Sequence, residues 1–400
     1  MNEHKAVPNI RFKGFDDEWK NEFIKNISTM KSGGTPSVNK REYYVGDIPF
    51  IRSSDIKNES TELKINDEAI KNSSSFMVEK GTVLYALYGA TSGQVSISKV
   101  TGAINQAVLA IFPNEIVNKY FLVYWLSFNK EKITNKYLQG GQGNLSAKIV
   151  KNLLLPFPTK FEQQKIGDFF TKLDKLLDLQ QQKIDKLELL KKALLKKLFP
   201  KHDAKIPEFR FNGYKKNWEK DLIGNVSASK SGGTPSIAEK KYYDGNIPFI
   251  RSSDINKSRT ELCINDNAVK HSSTFIVEKG SVLYALYGAT SGQVALSKEK
   301  GAINQAVLAI FPKNYIEKNF LMYWFIYSKK KIVSKYLQGG QGNLSAKIIK
   351  SLMFCFPNKS EQQKIGNFLS KVDQLIELEN KKLHNLQQVK KCLLQNMFVE

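Results

Sequence analysis

The chain repeats itself at a constant offset of 199 residues along its length. The Ser-Gly-Gly-Thr-Pro-Ser sequence of residues 32–37 recurs at 231–236, and residues 137–149 match residues 336–348 at all 13 positions. Because the register never slips, the repeat comprises two whole domains rather than a series of small units. Two nearly identical surfaces on one chain predict a target with two nearly identical halves.

The composition indicates a globular protein with a polyanionic partner. The 400 residues are 41% hydrophobic and 25% charged, which suffices for two or three domains, each with its own core. The net charge of +23 favours nucleic acid as the partner, although frequent lysine in the proteins of an AT-rich genome is an alternative explanation. The sequence contains no apolar stretch of about 18 residues and no signal peptide, so we expect a cytoplasmic protein that binds no membrane.

Each copy is predicted to have three parts. A short lead segment, residues 8–19 or 207–218, precedes a mixed region of strands and helices, and a long helix follows. The predicted strands of the first copy fall at residues 48–52, 82–88, 94–98 and 107–112, and a shorter helix is predicted at 119–128 and again at 318–327. The sequence therefore predicts an α+β fold, with a domain at 1–160, a helix at 161–200, a domain at 201–359 and a helix at 360–400.

The two long helices, predicted to begin near Glu162 and Glu361, have apolar residues at steps that average about 3.5, the spacing of a coiled-coil seam. The predicted seam contains Ile166, Phe169, Leu173, Leu176, Ile184, Leu187, Leu190, Leu194 and Leu198, and in the second helix Ile365, Phe368, Val372, Leu375, Leu383, Leu386, Val389, Leu393 and Met397. Gln180 and Glu379 interrupt it at matching places. Two such seams favour antiparallel pairing, with the two domains related by an approximate two-fold axis. Packing of each helix on its own domain alone is the alternative.

The lead segments support the antiparallel arrangement. Residues 207–218 directly follow the first long helix, and residues 8–19 repeat them. The first lead segment therefore begins where a preceding second helix would have ended, so the chain resembles a circle opened at Met1.

No catalytic constellation is apparent in the sequence. It lacks a Gly-rich phosphate loop with a following Lys-Ser/Thr, the Asn/Asp-Pro-Pro-aromatic sequence of amino-methyltransferases, a Gly-x-Ser-x-Gly elbow and a metal-ligand His pair. Asp55 and Glu62, with their copies Asp254 and Glu261, are interpreted as turn caps and partners in surface salt bridges. We therefore expect a chain that binds no metal or cofactor itself and catalyses no reaction alone.

Five polar turns flanked by glycine recur almost unchanged and form the candidate DNA-binding surface. Backbone N–H groups and hydroxyls suit phosphates, an arginine after a strand suits guanine, and amides such as the Asn105-Gln106 pair suit adenine. The predicted contacts in the first copy are Lys31, Ser32, Gly33, Thr35, Arg52, Ser53, Tyr88, Thr91, Ser92, Gln94, Gln142, Asn144 and Lys148. In the second copy they are Lys230, Ser231, Gly232, Thr234, Arg251, Ser252, Tyr287, Thr290, Ser291, Gln293, Gln341, Asn343 and Lys347. Any one loop is equally compatible with a simple turn, because Gly, Ser and Asn are standard turn residues.

With these motifs in this order, the chain resembles the specificity subunits of type I restriction-modification systems. The resemblance rests on Ser-Gly-Gly-Thr-Pro-Ser at 32–37 and on Leu-Pro-Phe-Pro at 155–158, followed by Glu-Gln-Gln-Lys-Ile at 162–166. The Lys- and Leu-rich helix tail at 182–199 adds to it. No single motif is highly specific, but their order is given twice and the resemblance covers the whole length.

The resemblance implies a non-catalytic scaffold that reads double-stranded DNA. In that family two target-recognition domains, separated by helices that form an antiparallel coiled coil, each read one half of a split site. Two modification subunits methylate an adenine in each half-site with S-adenosylmethionine. Restriction subunits, with ATP and Mg²⁺, translocate and cut the DNA. These cofactors are accordingly expected on the partner subunits and none on this chain.

In one respect the sequence departs from the family pattern, in which the two recognition domains commonly differ. Here they are nearly the same, so we expect a gapped palindrome: one half-site, a non-specific spacer, then the inverted repeat. Two alternatives stay open at this point. A stand-alone DNA-binding protein would need no enzyme partners, and an enzyme with a diverged motif would cut or methylate DNA by itself.

Overall fold

In a computed structural model, the protein is described at residues 7–138, 143–201, 204–337 and 342–399. The chain divides into two compact units. Unit 1 comprises residues 1–181 and 382–400, and unit 2 comprises residues 182–381. Each unit therefore combines one mixed α/β domain with parts of both long helices.

The elements of unit 1 begin after the lead segment. Its strands are β1 (Lys20–Phe23), β2 (Ser28–Ser32), β3 (Ile48–Ile51), β4 (Lys64–Ile65), β5 (Phe76–Val78), β6 (Val83–Ala86), β7 (Val95–Ile97), β8 (Gly102–Ile104), β9 (Val108–Pro113) and β10 (Leu154–Phe157). Its helices are α1 (Ile24–Ile27), α2 (Asp67–Lys71), α3 (Lys119–Phe128), α4 (Lys130–Tyr137) and α5 (Ala147–Lys151), and the long helix α6 spans Lys160–Leu198. The strands and the shorter helix predicted from the sequence are confirmed to within two residues at each end.

Unit 2 repeats these elements at the same offset. Its strands are β11 (Glu219–Leu222), β12 (Ser227–Ser231), β13 (Ile247–Ile250), β14 (Cys263–Ile264), β15 (Phe275–Val277), β16 (Val282–Ala285), β17 (Val294–Leu296), β18 (Gly301–Ile303), β19 (Val307–Pro312) and β20 (Met353–Phe356). Its helices are α7 (Ile223–Val226), α8 (Asp266–Lys270), α9 (Lys318–Tyr336), α10 (Ala346–Lys350) and the long α11 (Lys359–Met397). Helix α9 is continuous where α3 and α4 are separate, so it extends beyond the predicted residue 327.

Each domain has two four-stranded sheets. In unit 1 the strand orders are β2-β9-β6-β7 and β4-β3-β8-β5. The central strand β6 is buried along its whole length because both of its faces are covered. Val83 and Tyr85 join the core beneath α3, whereas Leu84 and Ala86 join a second core on the other face. This double burial explains the uninterrupted apolar sequence of β6.

The spacing of the predicted coiled-coil seam is confirmed, but six of its positions lie one residue away from the seam: Phe169, Leu176, Leu190, Phe368, Leu375 and Val389. Leu176, Leu190, Leu375 and Val389 are 40–49% exposed. Alternating steps of four and three from Ile166 pass instead through Phe170, Leu173, Leu177, Gln180, Ile184, Leu187, Lys191, Leu194 and Leu198, all buried or half-buried. The polar Gln180 and Lys191 therefore occupy seam positions, and the apolar neighbours of the seam face outward.

Within each unit, the segments of the two long helices run antiparallel. Ile166 and Phe170, near the start of α6, share a core with Met397 at the end of α11. Asp174 of α6 pairs with Lys390 of α11 and accepts a hydrogen bond of 2.8 Å from the Tyr124 hydroxyl. Asp373, Lys191 and Tyr323 form the same triad in unit 2, where the Tyr323 hydroxyl donates over 2.7 Å. The predicted fold class is thus confirmed: mixed α/β domains and long helices that pair antiparallel.

The Glu-Gln-Gln motif at the start of each long helix has a structural role. Glu162 is 0% exposed and accepts from Nε and Nη2 of Arg11 at 2.7 and 2.8 Å. The next side chain, Gln163, donates to the Ile116 and Pro158 carbonyls at 3.2 and 2.9 Å. The motif therefore fastens the lead segment and the start of α3 to the long helix. Arg210, Glu361 and Gln362 repeat these bonds in unit 2.

The lead segments join the long helices in the way that the circular arrangement predicts. In unit 2, the amide of Phe209 donates to the Lys197 carbonyl at 2.8 Å. In unit 1, the amide of Ile10 donates to the Asn396 carbonyl at 2.8 Å, which is the same bond at the repeat offset. The end of α11 therefore meets the first lead segment as the end of α6 meets the second.

Candidate nucleic-acid interface

Four of the five predicted loops leave the two sheets of unit 1 at one edge. Strands β3 and β8 are parallel, with Ile51 opposite Ile104, so both end at this edge. Strands β2 and β6 also end here, because both pair antiparallel with the first residues of β9. Backbone bonds link the loops directly, from the Asn105 amide to the Ile51 carbonyl at 3.3 Å and from the Leu87 amide to the Ala107 carbonyl at 2.8 Å.

The Ser-Gly-Gly-Thr-Pro-Ser segment reaches this edge through its glycines. A Cβ atom on Gly33 would lie 1.8 Å from the Ile104 carbonyl oxygen, so only glycine lets the segment pass so close to β8. Thr35 is exposed and its hydroxyl donates to the side-chain oxygen of Gln106. Lys31 and Ser32 are exposed at the end of β2, and Nζ of Lys31 lies 4.2 Å from the Phe76 ring centroid. The glycine thus serves packing, while Thr35 and Gln106 form a polar pair at the surface.

Arg52 is held in place at the end of β3. Its Nε donates to Oδ2 of Asp55 at 2.9 Å, and its Nη2 donates to Oε2 of Glu62 at 3.1 Å. The hydrogen bond to Asp55 raises the pKa of the Arg52 guanidinium above its ordinary value. The interpretation of these two acids as turn and salt-bridge partners is confirmed. Ser53 follows Arg52 at the same edge and is half-buried.

The loop after β6 is built on one buried hydroxyl. Ser92 is 5% exposed and its Oγ donates to the Leu87 carbonyl at 3.1 Å, so this side chain holds the loop from inside. Thr91 donates to the Tyr88 carbonyl at 3.3 Å, which braces the turn. Tyr88, Thr91 and Gln94 are half-buried, so each side chain retains some exposed surface. A DNA contact by Ser92 would require the loop to open, whereas its neighbours are accessible as they stand.

The loop at residues 138–148 is attached to the loop after β6. Asn144 forms an isolated backbone bridge with Tyr88, and the Leu145 amide donates to the Leu87 carbonyl at 2.9 Å. Asn144 and Lys148 are exposed, and Ser146 between them caps α5 by accepting from the Ile149 amide at 3.3 Å. Gln142 and Gln341 were also predicted as contacts, but they lie outside the described residues.

Unit 2 presents the same edge. The bridge between Tyr287 and Asn343 is repeated, and Thr234 donates to the side-chain oxygen of Gln305. Exposed or half-buried predicted contacts are Lys230, Ser231, Gly232, Thr234, Arg251, Ser252, Tyr287, Thr290, Gln293, Asn343 and Lys347, whereas Ser291 is buried as Ser92 is. Lys148 and Lys347 lie in α5 and α10, which pack on α1 and α7 near the start of β2 and β12 and so away from the end where the other loops meet. The contacts of all these residues with DNA stay a prediction.

In unit 2, the aspartate beside the arginine, Asp254, pairs with two cations. Burial disfavours the charged form of Asp254, but hydrogen bonds from Arg251 and Lys257 outweigh it and hold the pKa of this carboxyl below its ordinary value. Nε of Arg251 and Nζ of Lys257 each lie 2.9 Å from the carboxylate. A buried anion with two cations fixes this turn in its conformation.

The predicted residue sets missed two features that flank the loops. Gln106 and its copy Gln305 were noted only as amide-bearing turn residues, yet each is exposed and paired with a threonine at the centre of the edge. Helix α4 packs against the loop after β6, where a Cβ on Gly93 would lie 2.9 Å from Cγ of Lys130. The adjacent Asn105 and Gln106 were a usable signal for Gln106 in the sequence. Nothing local in the sequence indicated that Lys130 lies close to Gly93.

Comparison with known proteins identifies the family. The model of the type I restriction modification DNA specificity domain matches residues 16–189 and again residues 215–388. The chain therefore belongs to the specificity subunits of type I restriction-modification systems, which are the non-catalytic subunits.

The matched relatives differ in how much of the chain they cover. The putative type I restriction enzyme MjaX specificity subunit of Methanocaldococcus jannaschii is 24% identical over 401 residues, 94% of this chain and 92% of that protein. The MjaIX specificity subunit of the same organism is 33% identical over 196 residues, 46% of this chain and 44% of that protein. The crystal structure of a type I S subunit from M. genitalium has the same fold, with a TM-score of 0.68 at 18% identity over 98% of this chain and 99% of that one.

Two further kinds of site are absent from the described ranges. No helix there is long and apolar enough to cross a membrane. No group of three or more His, Cys, Asp or Glu side chains there is arranged to hold a metal ion.

Proposed function

We propose that this chain is the DNA-reading subunit of a type I restriction-modification complex, in which each unit reads one half of a bipartite site. The observation that carries the proposal is the polar edge of each unit, where loops far apart in sequence meet. An arginine fixed at Nε, a threonine-glutamine pair and exposed amides are side chains that read base edges in the major groove. The net charge of +23 supplies the general attraction to phosphates.

The two half-sites are proposed to share one sequence. The support is that the predicted reading residues of one unit recur without substitution in the other. The sequence predicts a two-fold relation of the domains, and two equal readers in that relation would read opposite strands. The expected target is therefore a gapped palindrome.

Modification subunits are proposed to bind the outward faces of the long helices. Leu179 and Leu378 occupy equivalent positions and are 63% and 64% exposed, and Leu176, Leu190, Leu375 and Val389 add further exposed apolar surface. Apolar side chains grouped on a helix in this way mark a protein-binding surface. Such a surface also favours a subunit with enzyme partners over a DNA-binding protein that acts alone.

The chemistry is proposed to lie on the partners. Two modification subunits would use S-adenosylmethionine to methylate adenine, and restriction subunits would use ATP and Mg²⁺ to cut. This chain would only position the DNA, by holding the double strand at a fixed place relative to the modification and restriction subunits. The cytoplasm, where the chromosome of such a cell lies, is the proposed location.

Methylome sequencing of cells that express this chain with its modification subunit tests the proposal. We expect N6-methyladenine in a gapped palindrome. A gapped but asymmetric motif would retain the role and contradict the shared half-site. Absence of any motif while the modification subunit is active would contradict the role itself and favour a stand-alone DNA-binding protein.

A pair of substitutions tests the polar edge of each unit, where the loops after β2, β3, β6 and β8 or their equivalents meet. This edge is called the reading edge below. Arg52→Ala together with Arg251→Ala should abolish the motif, because both units lose the side chain best suited to guanine. Lys13→Ala with Lys215→Ala, which removes two exposed cations of the lead segments, outside both the loops and the long helices, is the control for a simple loss of charge. If the double arginine variant methylates the same motif, these arginines do not read the half-site.

A further inference from the structure

The two units differ in charge directly beside the reading edge. Residues 57–60 are Lys-Asn-Glu-Ser, whereas the equivalent residues 256–259 are Asn-Lys-Ser-Arg. The whole segment 52–62 has two basic and three acidic residues, and segment 251–261 has three basic and two acidic residues. The segment of unit 2 therefore has one more cation and one fewer anion, and its net charge is two units more positive than that of unit 1.

In unit 1, two exposed glutamates of this segment pair with cations, one inside the segment and one outside it. Oε2 of Glu62 lies 3.1 Å from Nη2 of Arg52, and Oε1 of Glu59 lies 3.5 Å from Nζ of Lys99. Both glutamate side chains are more than four-fifths exposed, so their charges face the solvent in front of the loop. A DNA phosphate approaching here would meet these carboxylates.

In unit 2, Asp254 points inward and Lys257 and Arg259 are exposed, while Glu261 is exposed as Glu62 is in unit 1. Asp254 is buried and accepts from Lys257 at 2.9 Å, while the Lys257 side chain itself is 45% exposed. Ser258 replaces Glu59, and Arg259 adds a further cation in place of Ser60. The carboxylate of Glu299, which accepts from the Thr260 amide at 2.9 Å, adjoins the segment, so the positive charge offered to a phosphate is that of Lys257 and Arg259.

A hydrogen bond places this segment against the predicted reading residues. Nδ2 of Asn256 donates to Oε1 of Gln293 at 2.9 Å, and Gln293 closes the loop after β16. Lys57 stands at the position of Asn256 in unit 1. Any duplex that contacts the loop after β16 must therefore pass close to residues 256–259.

We propose that residues 256–259 form a phosphate-binding segment for the DNA backbone that residues 57–60 do not form, so that the two units bind the same half-site with unequal affinity. This inference rests on the proposed function, because it assumes that the edge faces DNA. Each phosphate neutralised by a protein cation steepens the dependence of log K on log salt by about 0.9. Arg259 is one additional cation, and Ser258 leaves Lys298 without the carboxylate that Glu59 offers to the equivalent Lys99. Two more cations available to phosphates predict a slope steeper by about 2 for unit 2.

A pair of single-reader proteins measures each unit separately. In the complex with modification subunits, Arg52→Ala leaves unit 2 as the reader and Arg251→Ala leaves unit 1. Both are titrated with a duplex in which one half-site is intact and the other is scrambled, at salt concentrations between about 50 and 200 mM. We expect the ratio of their affinities to change about tenfold over this range, with the Arg52→Ala protein more sensitive to salt.

A charge exchange provides the matched test that leaves both arginines in place. Glu59→Ser with Ser60→Arg gives unit 1 the charge of unit 2, and should steepen the slope for the full site by about 2. Ser258→Glu with Arg259→Ser should make it shallower by the same amount. Both positions are exposed in their loops, so neither exchange disturbs a core.

The outcomes separate this inference from the proposed function. Equal slopes for all these proteins, with selective binding to the intact site retained, would overturn the phosphate-binding segment alone. Absence of any preference by the unsubstituted complex for the methylated motif over scrambled DNA would overturn the proposed function and this inference with it. Slopes that follow the charge exchange in both directions would support the inference.

Discussion

Removing the buried carboxylate that fastens the lead segment should strongly destabilise unit 1. Glu162 is fully buried and receives two hydrogen bonds from Arg11, at 2.7 and 2.8 Å, while the Arg11 side chain is 12% exposed. Glu162→Ala leaves the guanidinium buried without its anion, which typically costs about 3–5 kcal/mol. A domain of this size has a free energy of unfolding of about 5–15 kcal/mol, so the loss is a large part of the total.

A double-mutant cycle isolates this ion pair. Glu162→Ala, Arg11→Ala and the double variant are unfolded in urea, with hydrogen exchange in β10 and the first turns of α6 as the probe for unit 1. The double variant should lose clearly less than the sum of the single variants, because it leaves no buried charge unpaired. Glu361→Ala is the matched variant in unit 2, where the Trp218 indole also donates to Glu361 at 3.4 Å.

Two results would refute this reasoning. A loss below about 1 kcal/mol for Glu162→Ala would mean that the pair behaves as an exposed surface salt bridge. Additive single losses would mean that the two side chains act independently. In either case the Glu-Gln-Gln motif would not fasten the lead segment to the long helix.

Three further predictions concern other positions. Gly33→Ala should cost several kcal/mol because its Cβ would overlap a carbonyl of β8, whereas Gly143→Ala, with open space around it, should change the melting temperature little. Phe398→Ala should cost about 3–5 kcal/mol in urea unfolding, since this ring is 2% exposed among aromatic rings, and Phe199→Ala should do the same in unit 2. Burial raises the pKa of Glu317 above its ordinary value, so the stability of unit 2 should fall as pH rises from the unfolded to the folded pKa. Glu317→Asn, which copies the asparagine cap of unit 1, should flatten that part of the pH profile, and an unchanged profile would contradict the role of this carboxyl.

The repeat, the strands and the long helices could be predicted because each depends on local periodicity. The exact seam could not, because Leu176 and Leu177 are adjacent and apolar residues at either position fit a step of three or four from Leu173. Packing against the other helix decides between them. It places Leu177 inward and leaves Leu176 44% exposed.

The sequence could predict which residue types form the reading edge. It could not predict which loops the fold brings together there. The loops meet because β3 and β8 are parallel, and a parallel pair joins segments that are far apart in sequence. The inward hydroxyl of Ser92 and the close approach at Gly33 likewise depend on neighbours brought in by the tertiary fold. The sequence predicts ligand contacts at Ser92 and Gly33 because they are polar or small residues in a loop. Packing within the domain also explains why serine and glycine stand at these positions.

The equivalent bonds at Ile10 and Phe209 bear on how such a chain arose. In unit 2 the lead segment continues covalently from α6, whereas in unit 1 the same hydrogen bond joins it to α11 without a peptide link. Each unit borrows the far half of a helix that begins in the other copy, as the subunits of a domain-swapped dimer do. A one-repeat ancestor could have made both joints between two separate chains. Gene duplication and fusion would then have added a covalent link at one joint and left the other as it was.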